Sequence, residues 1–331
     1  MSPAMLDCSA PPASEILACA EGADTLRPLT EGDIEAYCRM LHASFNAWYW
    51  KHGWGRDYFS CGPADARIFY DIYNDLAPGR SFAAFDPADG KMMGACFYHP
   101  REHHVSLGIM AVAPEYFGRG VGRRLVNAIV DFTDKNAYKA LRLVSSAMNV
   151  DSFSLYNRSG LVPRVSYNDM ILAVPAGGLK ISVPGQDRVR DATPDDVSKM
   201  AALEHEISGI SRAADYAYAI ANKRGFLHAA VLENRAGGID GFMISVQSPA
   251  LNMLGPCVAR TEDDALALVR RELDRFAGKV PLFLIPMEKR HMVETLYAWG
   301  ARNVETHLFQ ARGVYKPFAG VNMPSFLPET G

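Results

Sequence analysis

The sequence predicts an α/β protein with mixed sheets, built from two tandem copies of one unit. Three observations predict it. First, "LRPLTEGDI" at 26–34 and "VRDATPDDV" at 189–197 repeat one pattern: a short strand with arginine in second place, a threonine N-cap, and an acidic residue three positions later. Such a capping box satisfies two orphan amides at a helix start. Second, β-rich runs alternate with stretches of helical periodicity. Third, "VAPEYFGRGVGRRL" at 112–125 carries a strand through Gly118, Gly120 and Gly122 into a helix.

The size allows two domains: 331 residues, of which 49% are hydrophobic and 21% charged. A formal net charge of -3 lacks the basic excess of a nucleic-acid binder. No apolar run has membrane-spanning length. The six cysteines (8, 19, 38, 61, 96, 257) are scattered without a C-x-x-C pair, which suits a reducing cytoplasm and argues against structural zinc. A cytoplasmic protein with no metal is therefore expected. Residues 1–24 hold Pro3, Pro11 and Pro12 but no basic region leading into an apolar one, and read as a flexible arm.

Along the first copy (25–174), Ile34, Tyr37, Cys38 and Leu41 mark a helix. "KMMGACFYH" (91–99) and "HVSLGIMAV" (104–112) read as an antiparallel hairpin. Leu125, Ile129 and Phe132, with Val126 and Val130, give the apolar face of the helix after the glycines. "ALRLVSSAM" (140–148) is the next strand, Asp151 to Arg158 the next helix, and "YNDMILAV" (167–174) closes the unit. Residues 175–187 form a linker in which "LKIS" is a possible strand, and 188–331 form the second copy.

Three glycines in five positions weaken any regular element, so something must approach that backbone closely. A strand that ends at proline and turns through glycines into a helix aims several N–H groups one way, beside the positive end of the helix dipole. Together they suit phosphate or pyrophosphate. Arg119, Arg123 and Arg124 add positive charge. The segment is not a P-loop, because no Lys-Ser/Thr follows; nor is it G-x-G-x-x-G, because position 125 is leucine.

A second motif lies downstream. "NVDSFSLYNRSGLV" (149–162) spaces Asn149, Tyr156 and Gly160 by seven and four residues. Here the chain resembles the GNAT superfamily of N-acyltransferases. Its loop (Arg/Gln)-x-x-Gly-x-(Gly/Ala), after a strand ending Val-x-Pro, is matched by Val112-Ala-Pro114 and Phe117-Gly-Arg-Gly120-Val-Gly122. Its Asn-x-x-Ala-x-x-x-Tyr-x-x-x-Gly-Phe is matched by Asn149, Ser152, Tyr156 and Gly160-Leu161. Phe117 departs from the usual Arg or Gln, so one side-chain contact is lost; the backbone cradle does not depend on it.

The resemblance implies acetyl-CoA or another acyl-CoA as donor. Its pyrophosphate would lie on the amides of Phe117, Gly118, Arg119, Gly120, Val121 and Gly122, near Arg123. Its pantetheine arm would pair with Met110, Ala111 and Val112, held also by Asn149 with Ser152 beside it. Tyr156 would protonate the leaving thiolate, and the Met110 amide would stabilise the oxyanion. The base is left open. Relatives carry a glutamate where this chain has Ser106, and His104, two residues back on the same strand face, is the candidate.

"FNAWYWKHGWGRDYF" (45–59) holds Trp48, Trp50 and Trp54 among four further aromatics. It suits an apolar acceptor or a long acyl chain, or packing against the second copy. Ser145 and Ser146 lack a histidine placed by sequence to activate them; Ser145 is read as pocket lining. In the second copy, "LGPCVARTEDDALAL" (254–268) replaces the glycine loop with acids, and Leu296 fills the tyrosine's position. That half resembles the degenerate C-terminal domain of tandem GNAT proteins, with Arg212 and Asp215 either reaching the cleft or solvated at a helix end. The expected activity is transfer of an acyl group to a primary amine of a small molecule or peptide, by direct attack in a ternary complex. Longer-chain transfer to a peptide or a lysine- or ornithine-like amine, and a non-catalytic acyl-CoA sensor, are the alternatives.

Overall fold

The computed structural model describes residues 26–53, 55, 57–59 and 62–325. They divide into two compact units. One runs to Tyr98 and adds Met110–Asn136; the other joins His99–Ile109 to the chain from Ala137 onward.

The order of elements shows the duplication directly. The first half reads β1 (Leu26–Pro28), α1 (Ile34–Lys51), α2 (Arg67–Leu76), β2 (Ser81–Phe85), β3 (Met92–Pro100), β4 (His104–Val112), α3 (Val121–Lys135), β5 (Ala140–Ser146), α4 (Val150–Arg158) and β6 (Val162–Ile171). The second repeats it: β7 (Val189–Asp191), α5 (Val197–Ser208), α6 (Ala213–Ala221), β8 (Leu227–Glu233), β9 (Ile239–Gln247), β10 (Asn252–Ala259), α7 (Glu262–Leu273), β11 (Leu282–Pro286), α8 (Arg290–Ala298) and β12 (Arg302–Gly313). A short β13 (Val321–Met323) follows.

Both halves begin with the same clamp. The Asp33 carboxylate accepts from the Thr30 amide at 2.9 Å and from both Arg27 Nη atoms at 2.8 Å. Asp196 does the same for Thr193, and Arg190 reaches it at 2.7 and 2.9 Å. The second-place arginine of the sequence pattern is therefore part of the cap. It holds the carboxyl of Asp33, and of Asp196, well below the ordinary carboxylate range.

In the first unit, β1 and β3 flank β2 in antiparallel register. Adjacent residues of β3 face opposite ways, as a strand requires. Phe97 meets Tyr37 of α1 at 5.4 Å and Tyr73 of α2 at 5.0 Å, while Tyr98 meets Phe132 of α3 at 5.0 Å. Helices thus cover both faces of the sheet. The tryptophan-rich segment packs on its own unit: Phe45 and Tyr49 lie against Tyr58, and Phe59 reaches Phe69 of α2 at 5.8 Å.

The second unit holds a feature that the sequence did not suggest. Its strands run β5-β12-β6-β11-β10-β9-β8-β7, with β13 on β10. The final strand of the second half, β12, lies between β5 and β6 of the first, antiparallel to both. Reciprocally β6 lies between β12 and β11. Each half lends its last strand to the other, so "YNDMILAV" does not close the first copy alone. Strand β6 also begins earlier than the apolar run, at Val162, because it pairs with Ala311 there, and ends at Ile171. Phe309 and Ala311 of β12 join Val165 and Tyr167 of β6 in one buried cluster with Leu284 and Met253.

The segment "LKIS" forms no strand; the Leu179 and Ile181 carbonyls accept from Arg270 of α7 at 2.7 Å each.

Candidate active site

The first unit contains the glycine turn. Strand β4 ends at Val112, and the Ala113 amide donates to the Met93 carbonyl at 2.8 Å. A 3-10 turn, Pro114–Tyr116, follows, pinned by the Tyr116 hydroxyl donating to Asp86 at 2.9 Å. Gly118 and Gly120 then take φ values of 76° and 78°, a region costly for other residues. A Cβ on either would meet no protein atom within 4 Å, so the requirement is for the turn and for open space above it. The helix α3 starts at Val121, placing Gly122 in its first turn, where the amides of Val121, Gly122 and Arg123 have no carbonyl one turn back. Gly118, Arg119, Gly120 and Arg123 are exposed, Phe117 and Gly122 half-buried. Met110 and Val112 are half-buried and Ala111 is buried. The turn has the shape that anion binding needs.

In the second unit β4 runs parallel to β5 only from His104–Ala140 to Ser106–Arg142. Beyond Ser106 the ladder stops among this unit's described residues, though β5 continues to Ser146 with β12 on its other side. Asn149 is the N-cap of α4: its Oδ1 accepts from the Ser152 amide at 2.9 Å, leaving its NH₂ as the group able to hold a ligand. Tyr156, in the last turn of α4, is 6% exposed. The Ser145 hydroxyl accepts from Gln310 of β12 at 2.9 Å.

His104 and Ser106 do share a face: the imidazole Nε2 lies 3.2 Å from the Ser106 Oγ. Both are buried, at 1% and 0% exposure. The expectation that His104 titrates near neutrality is corrected here. Burial first, then the Arg142 guanidinium, with Arg101, Arg212 and His103 behind it, holds it well below the usual histidine range. Arg142, over the Phe309 ring at 4.6 Å, is itself drawn down to about 10 by burial.

The reading of Arg212 and Asp215 as a solvated helix end is also overturned. Asp215 is 1% exposed and accepts from Arg101 Nη2, at the start of the β3–β4 turn, at 2.9 Å. Arg212 is 2% exposed and its Nε donates to Glu204 at 2.8 Å. The second half thus buries an ion-paired cluster against residues of the first half's hairpin. No local signal could show it, since Arg101 and Asp215 lie 114 residues apart.

Of the tryptophans, Trp48 is buried and stacked on His52 at 4.0 Å. Trp50 is half exposed, and its Nε1 donates to Asp57 at 2.7 Å. Trp54 lies outside the described residues. In the second half Thr261 caps α7, accepting from the Asp264 amide at 3.1 Å. Glu262 accepts from the Met292 amide at 2.7 Å, so a carboxylate already occupies one amide in the first turn of α8. Leu296 is fully buried.

Family comparisons agree with this geometry. Residues 44–161 match the model of the acetyltransferase (GNAT) family, and residues 200–313 match a further acetyltransferase (GNAT) domain model. The chain belongs to the GNAT acetyltransferases, as a tandem of two such domains. Among solved structures, a provisionally assigned acetyltransferase from Pyrococcus horikoshii is similar with a TM-score of 0.68 at 16% identity, over 89% of this chain and 90% of that one. A GCN5-related N-acetyltransferase from Sphaerobacter thermophilus gives 0.58 at 17% identity, over 88% and 96%. A tandem GNAT protein from the clavulanic acid biosynthesis pathway gives 0.55 at 15%, over 87% and 98%. At these identities the likeness is one of fold. No curated protein matches the chain significantly in sequence. No helix among the described residues is long and apolar enough to cross a membrane.

Proposed function

We propose that this protein is an N-acyltransferase that moves an acyl group, acetyl in the simplest case, from acyl-CoA to a primary amine. The observation that carries the reading is the turn at Gly118 and Gly120: left-handed, open above, and leading into the unpaired amides of α3. The residues fit a diphosphate. Amides of Gly118, Gly120, Val121 and Gly122 would hold it; those of Phe117 and Arg119, expected to join them, instead donate to the Pro114 and Tyr116 carbonyls at 3.2 Å each. Arg119 and Arg123 would add charge, and Met110–Val112 and the Asn149 NH₂ would bind the pantetheine arm. Acyl-CoA, when bound, supplies the activated thioester.

The chain's own residues then have separable tasks. The Met110 amide stabilises the oxyanion formed as the amine attacks. Tyr156 gives its proton to the departing thiolate. His104, neutral throughout the physiological range, acts as a proton acceptor through the Ser106 hydroxyl. Trp48, Trp50 and Ser145 are assigned to the acyl and acceptor walls, accommodating a small-molecule or peptide amine.

A second reading, an acyl-CoA sensor without turnover, draws on Ser106 at the base position and on the lowered affinity of His104 for a proton. Thiol release from acetyl-CoA with a panel of amines separates the two. An enzyme releases thiol, and Tyr156→Phe lowers kcat at least tenfold while CoA affinity stays within twofold. A sensor binds CoA and releases nothing. Unchanged turnover in Tyr156→Phe removes Tyr156 as the acid.

A further inference from the structure

The exchange of β6 and β12 brings together three ionisable side chains that are far apart in sequence. Asp169 on β6 is 2% exposed; Glu305 and His307 on β12 are 6% and 4% exposed. Glu305 is the register partner of Asp169, and His307 that of Tyr167, two residues earlier on β6. All three side chains therefore emerge on one face. The His307 Nδ1 lies 3.2 Å from the Asp169 Oδ2. One donor atom from each of the three residues falls within 4.8 Å of the others. Ser146, opposite His307 on β5, donates its hydroxyl to Glu305.

The charges of other buried carboxylates are met. Asp215 and Glu204 face arginines, and Glu272 accepts from His228 at 2.8 Å and from Ser245 at 2.6 Å. Asp169 differs. It combines two deficits that these show singly: its Oδ1 has no hydrogen-bond partner among the described residues, as Glu204 Oε2 has none, and its one ion-pair partner there is a histidine, as for Glu272. A buried carboxylate oxygen left bare is destabilising unless a cation approaches it.

We propose that Asp169, Glu305 and His307 form a binding site for one divalent transition-metal ion, which joins the exchanged strands β6 and β12. Two carboxylates and a neutral imidazole balance the charge of a divalent cation. Donors 3.2 Å apart match the spacing of neighbouring ligands at metal–donor distances of about 2.0–2.2 Å. Mixed oxygen and nitrogen donors with one imidazole suit Zn²⁺ or Mn²⁺ rather than Ca²⁺, and Zn²⁺ should bind the tighter of the two. Three protein ligands leave a coordination position open for water. The site is independent of the CoA cradle, and no step of acyl transfer is routed through it.

The test uses the full chain, stripped with a chelator and dialysed against ZnCl₂ or MnCl₂ alone. The expected result is one equivalent of Zn²⁺ per chain, bound at least tenfold more tightly than Mn²⁺, with the melting temperature raised by linkage. Replacing Zn²⁺ with Co²⁺ should give visible d–d absorption from a mixed N/O site. Asp169→Asn and His307→Gln should each weaken Zn²⁺ at least tenfold, with CoA affinity held within twofold as the check on folding. His291→Gln, beside the exposed Asp263, should leave the bound equivalent unchanged. If one variant does not fold, the other and the wild-type stoichiometry decide. Less than a tenth of an equivalent on the wild type, or Zn²⁺ affinity unchanged in the variants that fold, overturns the proposal.

Discussion

Replacing Gly120 with alanine separates backbone strain from ligand exclusion. Gly120 sits at φ 78° and ψ 4° as the N-cap of α3. Alanine there should cost about 1–2 kcal/mol from the left-handed backbone alone. At roughly 2–4 °C per kcal/mol for a chain of this class, the melting temperature should fall by about 2–8 °C. The new methyl group meets no protein atom within 4 Å, so no packing penalty is added. It projects instead into the space above the amides, where it would lift a diphosphate off its donors. Losing one charged hydrogen bond costs about 1.5–3 kcal/mol, which is a ten- to hundredfold loss of CoA affinity. Gly79→Ala is the control, since Gly79 has φ 70° and an equally open Cβ direction but lies in the turn before β2. Calorimetric titration with CoA and thermal melts of both variants give the comparison. The melting temperatures should fall alike while only Gly120→Ala loses affinity. Equal CoA affinity in wild type and Gly120→Ala would refute the cradle, and so would an equal loss in Gly79→Ala.

Three further outcomes are expected. Arg101→Met leaves Asp215 buried without its partner and should destabilise the protein by roughly 3–5 kcal/mol in urea melts; a change under 1 kcal/mol contradicts the assigned burial. His104 has a folded-state pKa below its unfolded value, so its contribution to stability is complete above about pH 6.5 and is lost as pH falls. Unfolding free energies from urea melts should drop as pH falls from 6.5 to 5.5 by up to ~1.4 kcal/mol per pH unit for this group, and His104→Gln should flatten that slope. A chain ending at residue 187 lacks β12 and should not fold alone, as hydrogen exchange and near-UV circular dichroism would report; a cooperatively folded fragment would show that the exchanged strand is dispensable.

What the sequence disclosed was local. The capping boxes at Thr30 and Thr193, the glycine turn and the asparagine–tyrosine helix all depend on residues within about a dozen positions of one another, and each appears where it was expected. What it concealed was pairing. Alternation along residues 302–313 marks a strand but cannot name its neighbours, because β5, β6 and β11 all offer apolar faces. Hence the first copy looked complete at Val174. The cluster that depends on this pairing, Asp169 beside Glu305 and His307, stayed hidden with it, and Arg101 on Asp215 stayed hidden because 114 residues separate them.

The strand exchange also accounts for the retention of a second half that has lost the glycine loop and the tyrosine. A duplicated domain that only lay beside its twin could drift or disappear once its own donor site decayed. Here β12 is the strand that covers β5 and β6, and its Phe309 and Ala311 complete the buried cluster around Tyr167. Losing the second half would expose one edge of β5, both edges of β6 and that cluster at once. The last two strands of the first half, β5 and β6, therefore have β12 of the second as their shared neighbour. Keeping the sheet of the first half is sufficient to preserve the strand β12, whatever stands in the second half where the first has its glycine turn.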